Sequence, residues 1–420
     1  MSVWCIRRVA GHDPLMARTR TLLAADADQR MDAGRSTDPL PQSAPLSEQA
    51  SVTLLLAGDV MTGRGIDQVL QYPSGPELHE PYVHDARDYV RMAEALHGRI
   101  PAPVSADYIW GDALAEMAHY APDLRIVNLE TAITTSDRAW PGKGIHYRMH
   151  PLNMDCLTAA RIDCCVLANN HVLDWGRQGL SESLETLWQA HLHTAGAGAD
   201  GDEAWAPARL PLASGKRLLV FACGTSSSGV PLGWSADAKR SGLALLPDLS
   251  EGTLRLLADH IAHLRDPCDR VVISLHWGGN WGLEVPAAHR SFARRLIDLG
   301  AADVVYGHSS HHPLPVEVYR GKLILYGCGD LINDYEGIPM HGDLRGDVGC
   351  LYFVTIAADS GQLRRLDIVP LQRKCFRLGA PDADARNWLE HIFSHQNCSL
   401  EPVPSQRTLQ GWVLHWDGQP

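Results

Sequence analysis

Polar side chains able to hold a metal ion stand repeatedly where an apolar run stops. Asp59 follows LLLAG, Glu130 closes RIVNLE, Asn170 and His171 close VLANNH, His276 closes VVISLH, and His308 closes VVYGH. Carboxylate oxygens, an amide oxygen and imidazole nitrogens make a mixed hard and borderline donor set. It suits one or two divalent ions of the manganese, iron or zinc class and does not resemble a closed structural zinc site. Such an ion activates water and polarises the bond to be broken. Each of the 21 histidines taken singly reads as a surface or capping group. The recurrence at one position relative to successive strands is what points to a site.

Strands must deliver those residues. Continuous apolar runs at 52–58, 125–130, 163–171, 217–225, 271–278, 302–308, 322–330 and 350–358 read as buried strands. Helical patterns at 106–120, 152–161, 178–190, 253–265, 287–299 and 383–396 alternate with them, which predicts an α/β fold. In such a sheet the loops beyond the carboxyl ends of the strands open into one crevice, so residues distant in sequence meet there. Ser250 before Glu251 predicts a capped amphipathic helix, and Pro286 suits the first turn of the next. Strands 350–358 and 363–371, joined by Asp359-Ser360-Gly361, predict a hairpin beside the main sheet. Residues 1–50 read as a poorly ordered leader, 51–375 as the site-bearing domain, and 376–420 as a C-terminal helical extension.

The ordered set GDVMTGR (58–64), NLET (128–131), LANNHVLDWG (167–176), HWG (276–278) and GHSSHHP (307–313) resembles the CapA family of poly-γ-glutamate or capsule synthesis proteins, across about residues 52 to 372. The resemblance implies a calcineurin-like metallophosphatase fold, an α/β sandwich of two β-sheets flanked by α-helices. By the same resemblance Asp59 matches the first aspartate ligand, Glu130 the bridging acid, Asn170 the amide ligand and His276 the next histidine ligand. His308 and His311 match the terminal pair, and His171 the histidine that faces the substrate. Two departures stand out: Met61 occupies a position where related phosphoesterases carry a histidine, and Glu130 replaces a shorter aspartate.

Further candidates surround this set. His171 and Asp330 are the expected acid and base, Asp330 standing where many relatives have the asparagine of a Gly-Asn pair. Arg64, Lys143, Arg148 and Trp277 are candidate substrate contacts: a guanidinium clamp, two cations of a connecting segment and an apolar wall. Asp174 reads either as an orienting acid for His171 or as a helix cap. Whether His311 or His312 turns inward is open at the level of sequence, with His311 the preferred ligand.

A formal charge of −12 repels polyphosphate backbones, so no nucleic-acid partner is expected. Ten cysteines without a C-x-x-C pair, no signal-peptide core and no apolar span long enough for a membrane predict a cytoplasmic protein without an integral membrane segment. The expected function is metal-dependent hydrolysis of a peptide-like or polyanionic substrate in capsule or poly-γ-glutamate-type polymer metabolism. The alternatives are metal-assisted epimerisation at an amino-acid α-carbon, and a non-catalytic assembly factor that contacts a membrane polymer synthase.

Overall fold

A computed structural model describes residues 50–419 apart from 214, 339–341, 396 and 404–408. The expected leader therefore lies, except for its last residue, outside the described residues. The chain runs through β1 (Ser51–Val60), α1 (Arg64–Val69), α2 (Arg87–His97), α3 (Ala113–Tyr120), β2 (Leu124–Leu129), β3 (Cys164–Val166), α4 (Gly176–Gln189) and β4 (His193–Ala195). Then follow β5 (Arg217–Thr225), α5 (Glu251–Leu264), β6 (Arg270–His276), α6 (Ala287–Asp298), β7 (Val304–His308), β8 (Val316–Tyr319) and β9 (Lys322–Leu325). The remainder is β10 (Asp330–Ile332), β11 (Val348–Ala357), β12 (Leu363–Lys374), α7 (Ala383–Phe393), β13 (Cys398–Pro402) and β14 (Trp412–Trp416).

These strands form two main sheets. The first has the order β13-β14-β12-β11-β1-β2-β3-β4, with β10 also paired to β1; the second has the order β5-β6-β7-β9-β8, with Leu245–Leu246 on the outer side of β5. The pleat explains why the runs are apolar throughout. Leu54, Leu56, Ile126 and Cys164 face the other sheet and pack in one buried cluster with Val220, Val272, Val304 and Tyr306. Their neighbours Leu55, Ala57, Val127 and Cys165 turn the opposite way, beneath Ile109, Trp110, Leu180 and Leu187. On the outer face of the second sheet Phe221, Ile273 and Val305 pack under Leu254, Leu257, Phe292 and Leu296. A strand buried on both faces has no polar side to display. The result is the calcineurin-like sandwich of two sheets flanked by helices.

Local chemistry sets the helix starts. Ser250 Oγ accepts a 3.3 Å hydrogen bond from Thr253 N and caps α5, and Pro286 immediately precedes α6. Gly58 fixes where β1 and β10 meet, because a Cβ there would lie 1.7 Å from Gly329 O. Without a side chain at 58, the two strands approach closely enough for Asp59 to pair in register with Asp330.

The expected hairpin of β11 and β12 is present, and β11 pairs with β1 along seven positions, so it extends the first sheet. One expectation about the C-terminal third is corrected. The segment 376–420 is not a helical extension, since after α7 it supplies β13 and β14, with β14 paired to β12 at Asp367↔Val413 and Ile368↔Trp412. Trp412, Leu414 and Trp416 alternate into the core between the sheets, the period-2 pattern of a half-buried strand.

Candidate metal centre

The site is assembled by strand register. On the first sheet Asp59 stands opposite Asn128 on β2 and Asp330 on β10, and on the second sheet His276 stands opposite His308 and Gly224. Parallel strands bring these ends to one side, so both sheets contribute. Asp59, Glu130 and His276 each offer a ligand atom within 4.8 Å of the others. His276 Nε2 lies 3.0 Å from Asn170 Oδ1 and 3.7 Å from Glu130 Oε1, and His308 Nδ1 lies 3.0 Å from Asp59 Oδ1. All but Asn170 are buried.

Asp59 Oδ2, His276 Nδ1 and both ring nitrogens of His308 have no hydrogen-bond partner among the described residues. A buried polar atom left unpaired costs about 1–3 kcal/mol, so four on three neighbouring residues call for an explanation. Coordination supplies one, and the oxygen and imidazole donors fit a divalent transition ion. The charges agree with that reading. Burial pushes the Asp59 carboxyl up, but the His308 imidazole 3.0 Å away more than offsets it and holds the group down to about 2. Glu130 moves the other way, raised well above the usual carboxylate range by burial and by the charges of Asp59 and Asp330. A raised acid beside an ionised one marks a concentration of negative charge that a cation would relieve. Burial lowers His276 to about 3 against the opposing pull of Asp59, leaving a neutral imidazole suited to ligation.

Two further groups flank this cluster. His311 Nδ1 lies 3.0 and 3.2 Å from the two carboxylate oxygens of Asp330. Its neighbour His312 turns away, its Nδ1 3.1 Å from Pro313 O and its ring beside Trp388. The left-handed backbone at Ser309, φ +94°, makes the turn that separates His308 from His311. On the other flank His171 Nδ1 lies 2.6 Å from Asp174 Oδ2 and 3.0 Å from Lys143 Nζ, while Lys143 and Asp174 form a buried ion pair. Tyr147 stacks on the His171 ring at 3.8 Å. Burial, then the charges of Lys143 and Arg64, lower His171 well below the usual imidazole range.

Three expected substrate contacts are corrected. The Arg64 guanidinium is consumed by a bidentate pair with Asp334 and by Glu80 and Tyr89, each of the latter 2.8 Å from Nη1. It fastens loops together below the surface. Arg148 donates to Ser136 O and Asp137 Oδ1 at 2.8 and 2.7 Å and lies over the Trp175 ring. Trp277 is buried in the outer core of the second sheet, stacked on His289 at 4.3 Å, and its indole N–H donates to Tyr326 O at 2.9 Å. Lys143, by contrast, lies beside His171. Met61 is buried, and its main-chain N–H donates to Ile332 O at 2.9 Å.

Sequence reasoning missed the amides. Asn128 donates to Asp59 Oδ1 at 2.8 Å, and Asn169 donates to Asn128 Oδ1 at 3.0 Å while accepting from His171 N at 3.0 Å. This chain ties the first carboxylate to the histidine turn. The signal was present: Asn128 stands two residues before Glu130 in the run RIVNLE, where a strand's period of two would put both on one face. Asn333 and Arg373, which hold Asp330, gave no such signal.

Comparison with known proteins places these residues in a wider group. The sequence profile described as "Bacterial capsule synthesis protein PGA_cap" matches residues 53–335. A "Probable polyglutamine synthesis accessory protein" from Mycobacterium tuberculosis is 44% identical over 344 residues, 81% of this chain and 90% of the relative. The "PGA biosynthesis protein CapA" of Bacillus subtilis is 24% identical over 66% of this chain and 62% of its own length. The "Capsule biosynthesis protein CapA" of Bacillus anthracis is 22% identical over 68% of this chain and 61% of its own.

Proposed function

The chain belongs to the PGA_cap family of bacterial capsule synthesis proteins, and from that premise we propose a metal-dependent hydrolase acting on a peptide-like or polyanionic chain in capsule or polyglutamate-type polymer metabolism. One observation carries this reading: a buried set of oxygen and imidazole donors, drawn from both sheets, in which four atoms lack hydrogen-bond partners among the described residues. Asp59, Glu130, Asn170, His276 and His308 would hold one or two divalent ions, with His311 beside them. When bound, such an ion supplies Lewis-acid polarisation and lowers the pKa of a water molecule.

The protein's own groups supply the rest. Asp174 engages His171 at Nδ1, which leaves Nε2 as the nitrogen able to exchange a proton with a substrate. Lys143 neutralises Asp174 and disfavours a second positive charge on the ring, so His171 is neutral before reaction. The Asn169–Asn128–Asp59 chain keeps the first carboxylate in place during turnover.

Asp59→Asn and His276→Ala test the reading. With α- and γ-linked glutamyl oligomers and added Mn²⁺, metal-stimulated release of amine should fall at least about 100-fold in each variant. Undiminished rates would refute the assignment, and deuterium entering the α-carbon without bond cleavage would replace hydrolysis by epimerisation.

The word "accessory" in the mycobacterial relative's name favours a second reading, an assembly factor that binds the polymer or its membrane synthase without turnover. Asp59→Asn separates the two, because an assembly factor should still support polymer formation by the synthase. The nine described cysteines are all free thiols, which supports a cytoplasmic location, and among the described residues no helix is long and apolar enough to cross a membrane.

A further inference from the structure

We infer that Asp330 is a positioning residue: its carboxylate fixes the ring of His311 so that Nε2 is the nitrogen offered to the cation beside Asp59. The inference rests on the metal-centre reading above and gives Asp330 a role other than proton transfer.

The geometry is a relay that runs from the core to the site. Arg373 on β12 is almost fully buried and donates through Nε to Asn333 Oδ1 at 3.1 Å, and through Nη1 to the main-chain oxygens of Asp330 and Leu331 at 2.6 and 2.9 Å. Asn333 Nδ2 donates to Asp330 Oδ2 at 2.7 Å. Both Asp330 oxygens then lie within 3.2 Å of His311 Nδ1. Because the main chain and the side chain of Asp330 are both held, its carboxylate has a fixed position, which suits an anchor better than a mobile acid.

The ring it holds is fixed from the sides as well. Trp281 lies 5.1 Å from the His311 ring and Tyr335 meets it edge-on at 5.2 Å. Asp330 is in register with Asp59, whose Oδ2 has no partner among the described residues, so the anchor of His311 stands on the strand next to that carboxylate. A carboxylate on one ring nitrogen sets the tautomer, raises the basicity of the other nitrogen and orients it toward a metal. A thioether at Met61 contributes no imidazole, which leaves His308, 3.0 Å from Asp59 Oδ1, and His311 to supply one.

The test is a Mn²⁺ titration of metal-stripped full-length protein by calorimetry, with electron paramagnetic resonance reporting the bound ion. Asp330→Asn should weaken Mn²⁺ binding about 10- to 100-fold, as losses of such anchors typically do. His311→Ala should weaken it at least as much, and the double variant should bind no more weakly than His311→Ala alone. Unchanged affinity in Asp330→Asn overturns the inference. So do losses that multiply in the double variant, because Asp330 would then act independently of His311. Should Asp330→Asn fail to fold, Asn333→Ala replaces it with the same expected weakening, and unchanged affinity there is equally fatal. Wild-type protein that takes up no Mn²⁺ would instead strike at the metal-centre reading itself.

Discussion

Asn128 on β2 donates to Asp59, and Glu130, just past the end of β2, offers an oxygen to the donor cluster. Asn128→Ala should therefore weaken Mn²⁺ binding about 10-fold or more while leaving every expected ligand in place, measured by calorimetry; an unchanged constant would deny the amide its orienting role. A second prediction concerns His289, which burial lowers to about 4 while it stacks on Trp277. An unfolded imidazole titrates near about 6.5, so between these values the unfolded state binds a proton that the folded state does not. Stability of metal-stripped protein should thus rise with pH from about 4 to about 6.5, and fall as acid is added across that window. His289→Gln should flatten part of this slope in denaturant titrations at several pH values, and an identical slope would contradict the assignment. Acids, amide and histidines at strand ends were legible in the sequence because their positions repeat. Arg64, Arg148 and Trp277 were misread because a charged or aromatic residue near a site gives no sign, in one dimension, of the partner that will consume it.

At the scale of elements the site depends on how closely β10 can approach β1. Gly58→Ala places a methyl group where Gly329 O stands and should destabilise the protein by about 3 kcal/mol or more, with lost metal uptake, because it displaces Asp330 from Asp59. Gly144→Ala, where a new Cβ meets nothing within 4 Å, is the control and should melt like the wild type. Equal melting of both variants would show that the contact is not limiting. The long apolar strands were legible because burial on both faces leaves an unbroken apolar run, and the amphipathic helices α4, α5 and α6 because one buried face imposes a period of about 3.6 residues. The three-residue strand β10 escaped that logic, since its pairing is decided by a glycine contact and by Arg373, both remote in sequence.

For the whole molecule, the first sheet includes chain from beyond residue 376 and closes with β13 and β14. Trp412 is fully buried between the sheets, so Trp412→Ala should cost about 3–5 kcal/mol, and truncation after residue 380 should yield protein that melts far lower or aggregates along the exposed edge of β12. A truncated chain as stable as the full one would restore the boundary near 375 that composition suggested. That boundary was misplaced because short terminal strands carry a weak pattern, one alternation of Trp412, Leu414 and Trp416 after an ordinary helix. The central claim, that donors from both sheets gather on a shared cation, is tested most directly by elemental analysis of protein purified without added metal. It predicts about one to two transition ions per chain, lost in Asp59→Asn and His276→Ala. A metal-free protein that manganese, iron and zinc all fail to reconstitute, or variants that retain the full metal content, would contradict it.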